Sequence, residues 1–185
     1  MRGLVAGILK VDLELVEKAS FGDKEAFSKL YYSCYKDLYN FALYTLGNPE
    51  DAADVVADVF VEIWKGIGKL RSPKAFAHWA FKILSIRCKT EIGEKIKRRG
   101  EFDFNELIET PDAGSENLEE DISEGTTLAQ ALSALDSEER MIIILSVIYG
   151  YTRREISEII GKPQGTVASK LYRSYAKLRR LMAEK

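Results

Sequence analysis

Tyr151-Thr-Arg-Arg-Glu-Ile-Ser-Glu-Ile-Ile-Gly-Lys-Pro-Gln-Gly-Thr-Val-Ala-Ser-Lys-Leu-Tyr-Arg-Ser-Tyr-Ala-Lys-Leu-Arg-Arg180 carries the strongest local signal in the chain. Thr152 and Glu155 have the spacing of a capping box, in which each side chain answers the other residue's free backbone N–H. Ile156, Ile159 and Ile160 then repeat at helical spacing, and Gly161 suits the left-handed residue that closes a helix. Lys162-Pro-Gln-Gly165 interrupts the pattern. A last helix is expected from near Thr166, with Val167, Leu171, Tyr175, Leu178 and Leu181 on its inner face. A short helix, a glycine-containing turn and a second helix with one apolar stripe and a basic opposite face make a helix-turn-helix. The plain alternative is a helical hairpin with a solvated basic face; the capping box and the Gly-Lys-Pro-Gln-Gly turn favour the former.

DNA accounts for this layout. The first helix holds the second against the duplex, and the second enters the major groove by its N-terminus. Ala168, Ser169, Tyr172 and Arg173 are expected to face outward there. Ala168 leaves room for close approach, and Arg173 can donate two hydrogen bonds to a guanine. Arg153, Arg154, Lys162, Lys170 and Lys177 read as phosphate partners, which orient the helix without reading bases. The Thr166 hydroxyl and the helix N-terminus can take a further phosphate.

Working outward, Asp136-Ser-Glu-Glu139 is a second capping-box start, and Met141 to Ile148 is apolar on nearly every side, as the central helix of a small bundle would be. Leu128, Leu132 and Leu135 precede it. Nearer the N-terminus, Asp23 is placed to cap a helix bearing Phe27, Leu30, Tyr31, Cys34, Leu38 and Phe41 on one stripe. Gly47-Asn-Pro49 ends it and starts the next: Asn48 caps, Pro49 suits the first helical position, and Glu50 and Asp51 complement the positive dipole end. Val55, Val56, Val59, Phe60, Ile63 and Trp64 form that helix's apolar face, with Asp51, Asp54, Asp58 and Glu62 elsewhere on it. Ser72-Pro73 repeats the start signal before Phe76, Trp79, Ala80, Ile83 and Leu84. No strand pattern and no repeat is visible, so the fold class is all-α.

Charge divides the chain. Its net charge is only −2, yet Glu101 to Glu124 holds ten acidic residues and no Lys or Arg, whereas Lys82 to Arg99 holds seven basic residues against two acidic, and Arg153 to Lys185 nine against three. An acidic belt thus separates two basic regions able to meet a polyanion. With Pro111, Gly114 and few large apolar residues, the belt is expected to be a flexible linker. The expected organisation is residues 1–100, a linker at 101–124, and residues 125–185.

Other chemistries find little support. Two cysteines, Cys34 and Cys88, make neither a disulfide framework nor a zinc site. His78 is the one histidine, so no catalytic or metal cluster can form around it. No glycine-rich phosphate loop or nucleophile–base set is present, and no catalytic residue, metal or cofactor is expected. The apolar run Leu4–Leu9 is too short to span a membrane and lacks a cleavage-like sequel, which points to the cytoplasm with no membrane contact. Trp79 and Phe81 either complete the core or stack on an exposed base. Lys82, Arg87 and Lys89 are the nearby cations.

The run Leu135-Asp-Ser-Glu-Glu-Arg-Met-Ile-Ile-Ile144, followed by Gly150 to Ser174, resembles region 4 of the extracytoplasmic-function sigma factors. The matching positions are Glu155-Ile156, Gly161, Gly165-Thr-Val167, Ser169-Lys-Leu171 and Arg173, with Ser157 and Ser174 where alanine is usual. Asp51-Ala-Ala-Asp-Val-Val-Ala-Asp-Val-Phe-Val-Glu-Ile-Trp64 is similar to region 2.2. Gly22-Asp23 with Ala26-Phe27 and Leu30-Tyr31 is similar to region 2.1, and Phe76-Ala-His-Trp-Ala-Phe-Lys-Ile83 to region 2.3. The likeness spans about residues 12 to 183.

That resemblance implies an alternative sigma factor with a region 2 bundle and a region 4 helix-turn-helix. Its partners would be promoter DNA, core RNA polymerase through the β′ coiled coil and the β flap, and an anti-sigma factor. Region 4 would read the −35 element. Asp51, Asp54, Asp58, Phe60 and Glu62 would grip the β′ coiled coil. Trp79, Phe81, Lys82, Arg87 and Lys89 would hold the melted −10 strand. Three positions depart from the family pattern: Ile86 where asparagine is frequent, Thr90 where aspartate is frequent, and Ala57 where glutamine is common. The alternative function is a helix-turn-helix regulator that does not engage polymerase; it leaves the Asp51–Trp64 and Phe76–Ile83 segments without a role.

Overall fold

The computed structural model describes residues 9–99 and 130–183. The acidic segment 101–124, Leu128 and most of the Leu4–Leu9 run lie outside the described residues. Every regular element among the described residues is helical.

The caps predicted at Asp23, Asn48, Asp136 and Thr152 are in place, whereas Ser72 makes no side-chain cap and Pro73 opens only a 3₁₀ turn. Asp23 accepts the N–H groups of Glu25 and Ala26, at 2.9 and 3.0 Å, and starts α2, Lys24–Leu46. Gly47, at φ 74, closes α2 in the left-handed region where a Cβ is penalised. Asn48 then accepts the Asp51 N–H at 3.0 Å and starts α3, Pro49–Gly66. Two short 3₁₀ turns, Ile67–Lys69 and Pro73–Ala75, lead into α4, Phe76–Arg99. One helix has no counterpart in the expected pattern: α1, Leu13–Ser20, capped by Asp12. It packs on α2 and on both 3₁₀ turns, and buries Val16 and Ala19.

In the second half, helical residues 130–133 precede α5, Ser137–Ile143. Asp136 accepts the Glu139 N–H at 2.7 Å and Glu139 accepts the Asp136 N–H at 3.2 Å, a complete capping box. The expected single central helix differs here. Ile144–Ile148 winds as a π-helical turn, with the Tyr149 N–H reaching the Ile144 carbonyl at 3.2 Å. A π turn adds a residue per turn and rotates the residues after it around the axis, so Tyr149 and Tyr151 both end up buried. Thr152 and Glu155 form the second capping box and start α6, Arg153–Ile160, which Gly161 closes at φ 69. The last helix, α7, runs Gln164–Ala183, beginning two residues before the expected Thr166 because the Pro163 carbonyl already accepts the Val167 N–H. Its inner face also differs from expectation: Val167, Leu171 and Ser174 are buried and Leu178 is partly buried, while Tyr175 and Leu181 are 42% and 39% exposed.

The two halves are not separate bodies. Their buried residues form one continuous core. Helix α6 lies across α4, and α5 against α2. Phe81 of α4 is fully buried, with ring centroids 5.4 Å from Phe41, 4.6 Å from Tyr149 and 5.7 Å from Tyr151. The buried Arg140 donates through Nε to the Thr45 carbonyl at 3.2 Å, and the Tyr149 hydroxyl donates to the Asp37 carbonyl at 2.7 Å. Burial pulls the Arg140 guanidinium down to about 10, against an opposing pull from Asp136.

Candidate nucleic-acid and polymerase interfaces

The helix-turn-helix presents a small open face. Ser169, Tyr172 and Arg173 are exposed on α7, Tyr172 by 78%. Ala168 and Thr166 are half-buried beside them. The Ser169 hydroxyl donates to the Thr166 carbonyl at 2.9 Å. Arg153 is exposed at the start of α6, and the exposed Arg154 leans 3.3 Å onto Glu158.

Three of the expected phosphate partners are engaged within the module. Lys170 meets Asp136 at 3.2 Å and Glu138 at 3.6 Å, Lys162 meets Glu138 at 3.4 Å, and Lys177 meets the buried Glu139 at 2.7 Å. The start of α5 is thus the acid end of a charge network, and these lysines tie the recognition helix to it. Burial alone would raise the Asp136 carboxyl; the Glu139 N–H and Lys170 outweigh it and hold the group below its ordinary value. The Glu155 carboxyl is also lowered, chiefly by the Thr152 hydroxyl.

On α4 the expected strand-binding residues part company. Trp79 is half-buried and Lys82 exposed, and both line an open cavity of about 500 Å³ with Gly66, Lys69, Leu70, Arg71, Ala75, His78 and Glu158. Phe81, being fully buried, offers no face to a base in this arrangement. Arg87 pairs with Glu62 of α3. Lys89 donates to the Ile160 carbonyl at the end of α6, and burial lowers its ammonium. Lys69 and Arg71 join the site although sequence reasoning missed them; their signal is two cations in the short Gly68–Ser72 connection. The indole of Trp79 lies on Gly66, where a Cβ would stand 2.8 Å from Cζ2. Ile86 is 53% exposed, and the Thr90 hydroxyl donates to the Ile86 carbonyl at 3.1 Å.

The acidic helix α3 has two kinds of carboxylate. Asp54 and Asp58 are exposed. Asp51 and Glu62 instead pair with Lys95 and Arg87 and tie α3 to α4. Phe60 is buried, 4.4 Å from Tyr31 between ring centroids, in a row of aromatics that continues through Tyr35 to Tyr39 along α2. Cys34 and Cys88 are both buried; burial pushes the Cys34 thiol up to about 12 and raises that of Cys88. Among the described residues no group of His, Cys, Asp or Glu is placed to hold a metal. None of the described helices is long and apolar enough to cross a membrane.

Comparison with known proteins agrees with this architecture. Residues 30–96 match the family model for sigma-70 region 2, and residues 126–178 that for sigma-70 region 4. The chain is 30% identical to the RNA polymerase sigma factor NccH of Alcaligenes xylosoxydans xylosoxydans, over 93% of this chain and 95% of that one. It is 31% identical to the RNA polymerase sigma factor SigV of Bacillus subtilis, over 78% and 83%. It is 25% identical to the ECF RNA polymerase sigma factor SigM of Mycobacterium tuberculosis, over 92% and 84%. The fold is that of CnrH as solved in complex with the cytosolic domain of CnrY, with a TM-score of 0.67, 23% identity and coverage of 94% and 98%. The sigma factor RpoE of Bartonella quintana, solved in complex with the anti-sigma factor NepR, gives a TM-score of 0.68 at 22% identity, over 85% and 96%. The chain belongs to the extracytoplasmic-function group of the sigma-70 family. It is an alternative sigma factor that directs transcription initiation.

Proposed function

We propose that this sigma factor works by binding energy alone, through three surfaces. Ser169, Tyr172 and Arg173 on α7 read the −35 element in the major groove, with Arg153 on the flanking phosphates. The cavity lined by Trp79, Lys69, Arg71 and Lys82 receives an unstacked base of the melted −10 strand; aromatic stacking is worth about 1–3 kcal/mol per base and cationic walls follow the backbone. Asp54 and Asp58 meet core polymerase beside the aromatic row of α2 and α3.

The division of labour is residues 1–100 for polymerase and the −10 strand, 101–124 as connection, and 125–185 for −35. No catalytic step is assigned, and the workplace is the cytoplasm. CnrH and RpoE were each solved bound to a partner, which supports an anti-sigma partner here as well.

The observation that carries this reading is the coexistence, in one chain, of an open recognition face on α7 and a cavity lined by Trp79 with Lys69, Arg71 and Lys82. In vitro transcription with purified core polymerase over a promoter library tests it. Specific initiation with a shared −35 motif is expected; binding to duplex DNA without any initiation would overturn it.

A further inference from the structure

Asp136, Glu138 and Glu139 stand together at the start of α5, and the geometry gives them different work. Asp136 and Glu139 each accept the other's N–H, so those two hold the helix start. Glu138 is outside that box. Its two oxygens reach separate parts of the helix-turn-helix. Oε2 lies 3.4 Å from Lys162 in the turn, and Oε1 lies 3.6 Å from Lys170 on α7. The side chains of Glu138 and Lys170 are only 20% and 18% exposed, so salt screens this pair less than a surface pair. One carboxylate thus ties together two cations that flank the N-terminus of α7, the end that leads into the groove.

An untethered lysine is a point charge on a flexible stem. It follows whatever phosphate is near and adds the same affinity to every sequence. A lysine held by Glu138 has its stem ordered in advance. It meets a phosphate at no further cost only where the backbone passes the tethered ammonium, which is the register that Arg173 fixes through its base contact. In any other register a phosphate must draw the ammonium away from Glu138.

We infer that Glu138 is a positioning residue for −35 recognition: it holds Lys162 and Lys170 in one arrangement and so widens the margin between specific and non-specific DNA. This rests on the reading of α7 as the −35 helix given under the proposed function. Glu138 touches no base; it acts through the two lysines, and it opposes their use on the wrong sequence.

Salt-titrated binding of the full chain to two labelled duplexes tests this. One carries the −35 sequence recovered by binding-site selection, and the other carries that sequence scrambled. Glu138→Gln keeps the size of the side chain and removes its charge. Affinity for the scrambled duplex should rise about three- to ten-fold, with a salt slope steeper by about one to two as the freed lysines reach phosphates. Affinity for the −35 duplex should change by less than about two-fold, because the released charge is offset by the lost ordering of the two stems. Glu138→Asp, which keeps the carboxylate, should recover most of the margin. In a chain already carrying Lys162→Ala and Lys170→Ala, Glu138→Gln should alter neither affinity. If Glu138→Gln raises both affinities equally, lowers both, or acts as strongly without the two lysines, the inference is overturned. If the unsubstituted chain does not distinguish the two duplexes, the −35 reading of α7 falls and this inference falls with it.

Discussion

Lys170 of the recognition helix lies 3.2 Å from the Asp136 carboxylate, whose other duty is to accept the Glu139 N–H that starts α5. A lysine on the DNA side of α7 is thus part of the module's own scaffold. Lys170→Ala should lower thermal stability modestly, by about 0.5–1 kcal/mol, and leave the choice of promoter unchanged. Arg173→Ala should do the reverse: unchanged melting temperature, a loss of about 1–3 kcal/mol in affinity, and relaxed preference at one −35 position. Calorimetry and a binding-site selection on the same two proteins check this. Equal effects on stability from both would refute the assignment.

Gly66→Ala places a methyl group 2.8 Å from the Trp79 ring, closer than real Cβ contacts allow. The indole must move, and the cavity changes shape. Permanganate reactivity of the −10 thymines should fall, while binding of −35 duplex by α7 stays as it was. A shifted tryptophan emission should accompany it. Normal opening with normal emission would show that the indole tolerates the methyl.

The carboxylates of α3 should separate into two classes. Asp54→Lys with Asp58→Lys should leave helicity and melting temperature intact, because both are exposed, yet lose copurification with core polymerase at physiological salt. Glu62→Ala should lower the melting temperature by loosening α3 from α4, through the lost Arg87 pair. Retained copurification of the double variant would remove this face from the polymerase interface.

Ser174→Ala should stabilise the protein. The hydroxyl is fully buried with no hydrogen-bond partner among the described residues, and its removal ends a desolvation penalty of about 1–3 kcal/mol. Thermal or urea unfolding measures the gain; a destabilised variant would reveal a partner for this oxygen.

Acid should weaken the second module first at its caps. Asp136 and Glu155 both have carboxyl groups held below their ordinary values in the folded chain. Their contribution is complete above the unfolded carboxylate range, about pH 4–4.5, and is lost as pH falls through the lower folded values. Asp136→Asn and Glu155→Gln should each flatten the acid limb of a stability–pH profile. An unchanged limb in both would locate acid sensitivity elsewhere.

The helix caps at Asp23, Asn48, Asp136 and Thr152, the turn at Gly161 and the open face at Ser169, Tyr172 and Arg173 were readable in the sequence because local chemistry decides them. Three features were not. The π turn at Ile144–Ile148 lies in a run apolar on all sides, which has no period to reveal a change of pitch. Tyr175 fits a helical stripe on paper, yet the inner face passes instead through Ser174, a residue whose polarity hid it. The occupation of Lys162, Lys170 and Lys177 by the acids of Asp136–Glu139 joins residues some twenty-four to thirty-eight positions apart, beyond the reach of local spacing. For Phe81 the local pattern allowed both core and stacking, and its packing between Phe41 and the two tyrosines of the second module decides between them.

The cross-module hydrogen bonds of Arg140, Tyr149 and Lys89 all end on main-chain carbonyl oxygens, those of Thr45, Asp37 and Ile160. A main-chain carbonyl is supplied by any residue. Evolution can therefore rewrite the acceptor positions without removing these three bonds, whereas each donor is one particular side chain. Paired substitutions need never arise across these bonds, so a family alignment would carry little trace of them. Transplanting the helix-turn-helix from a relative would keep or lose two of these three bonds according to what that relative bears at the positions of Arg140 and Tyr149, whatever its promoter preference.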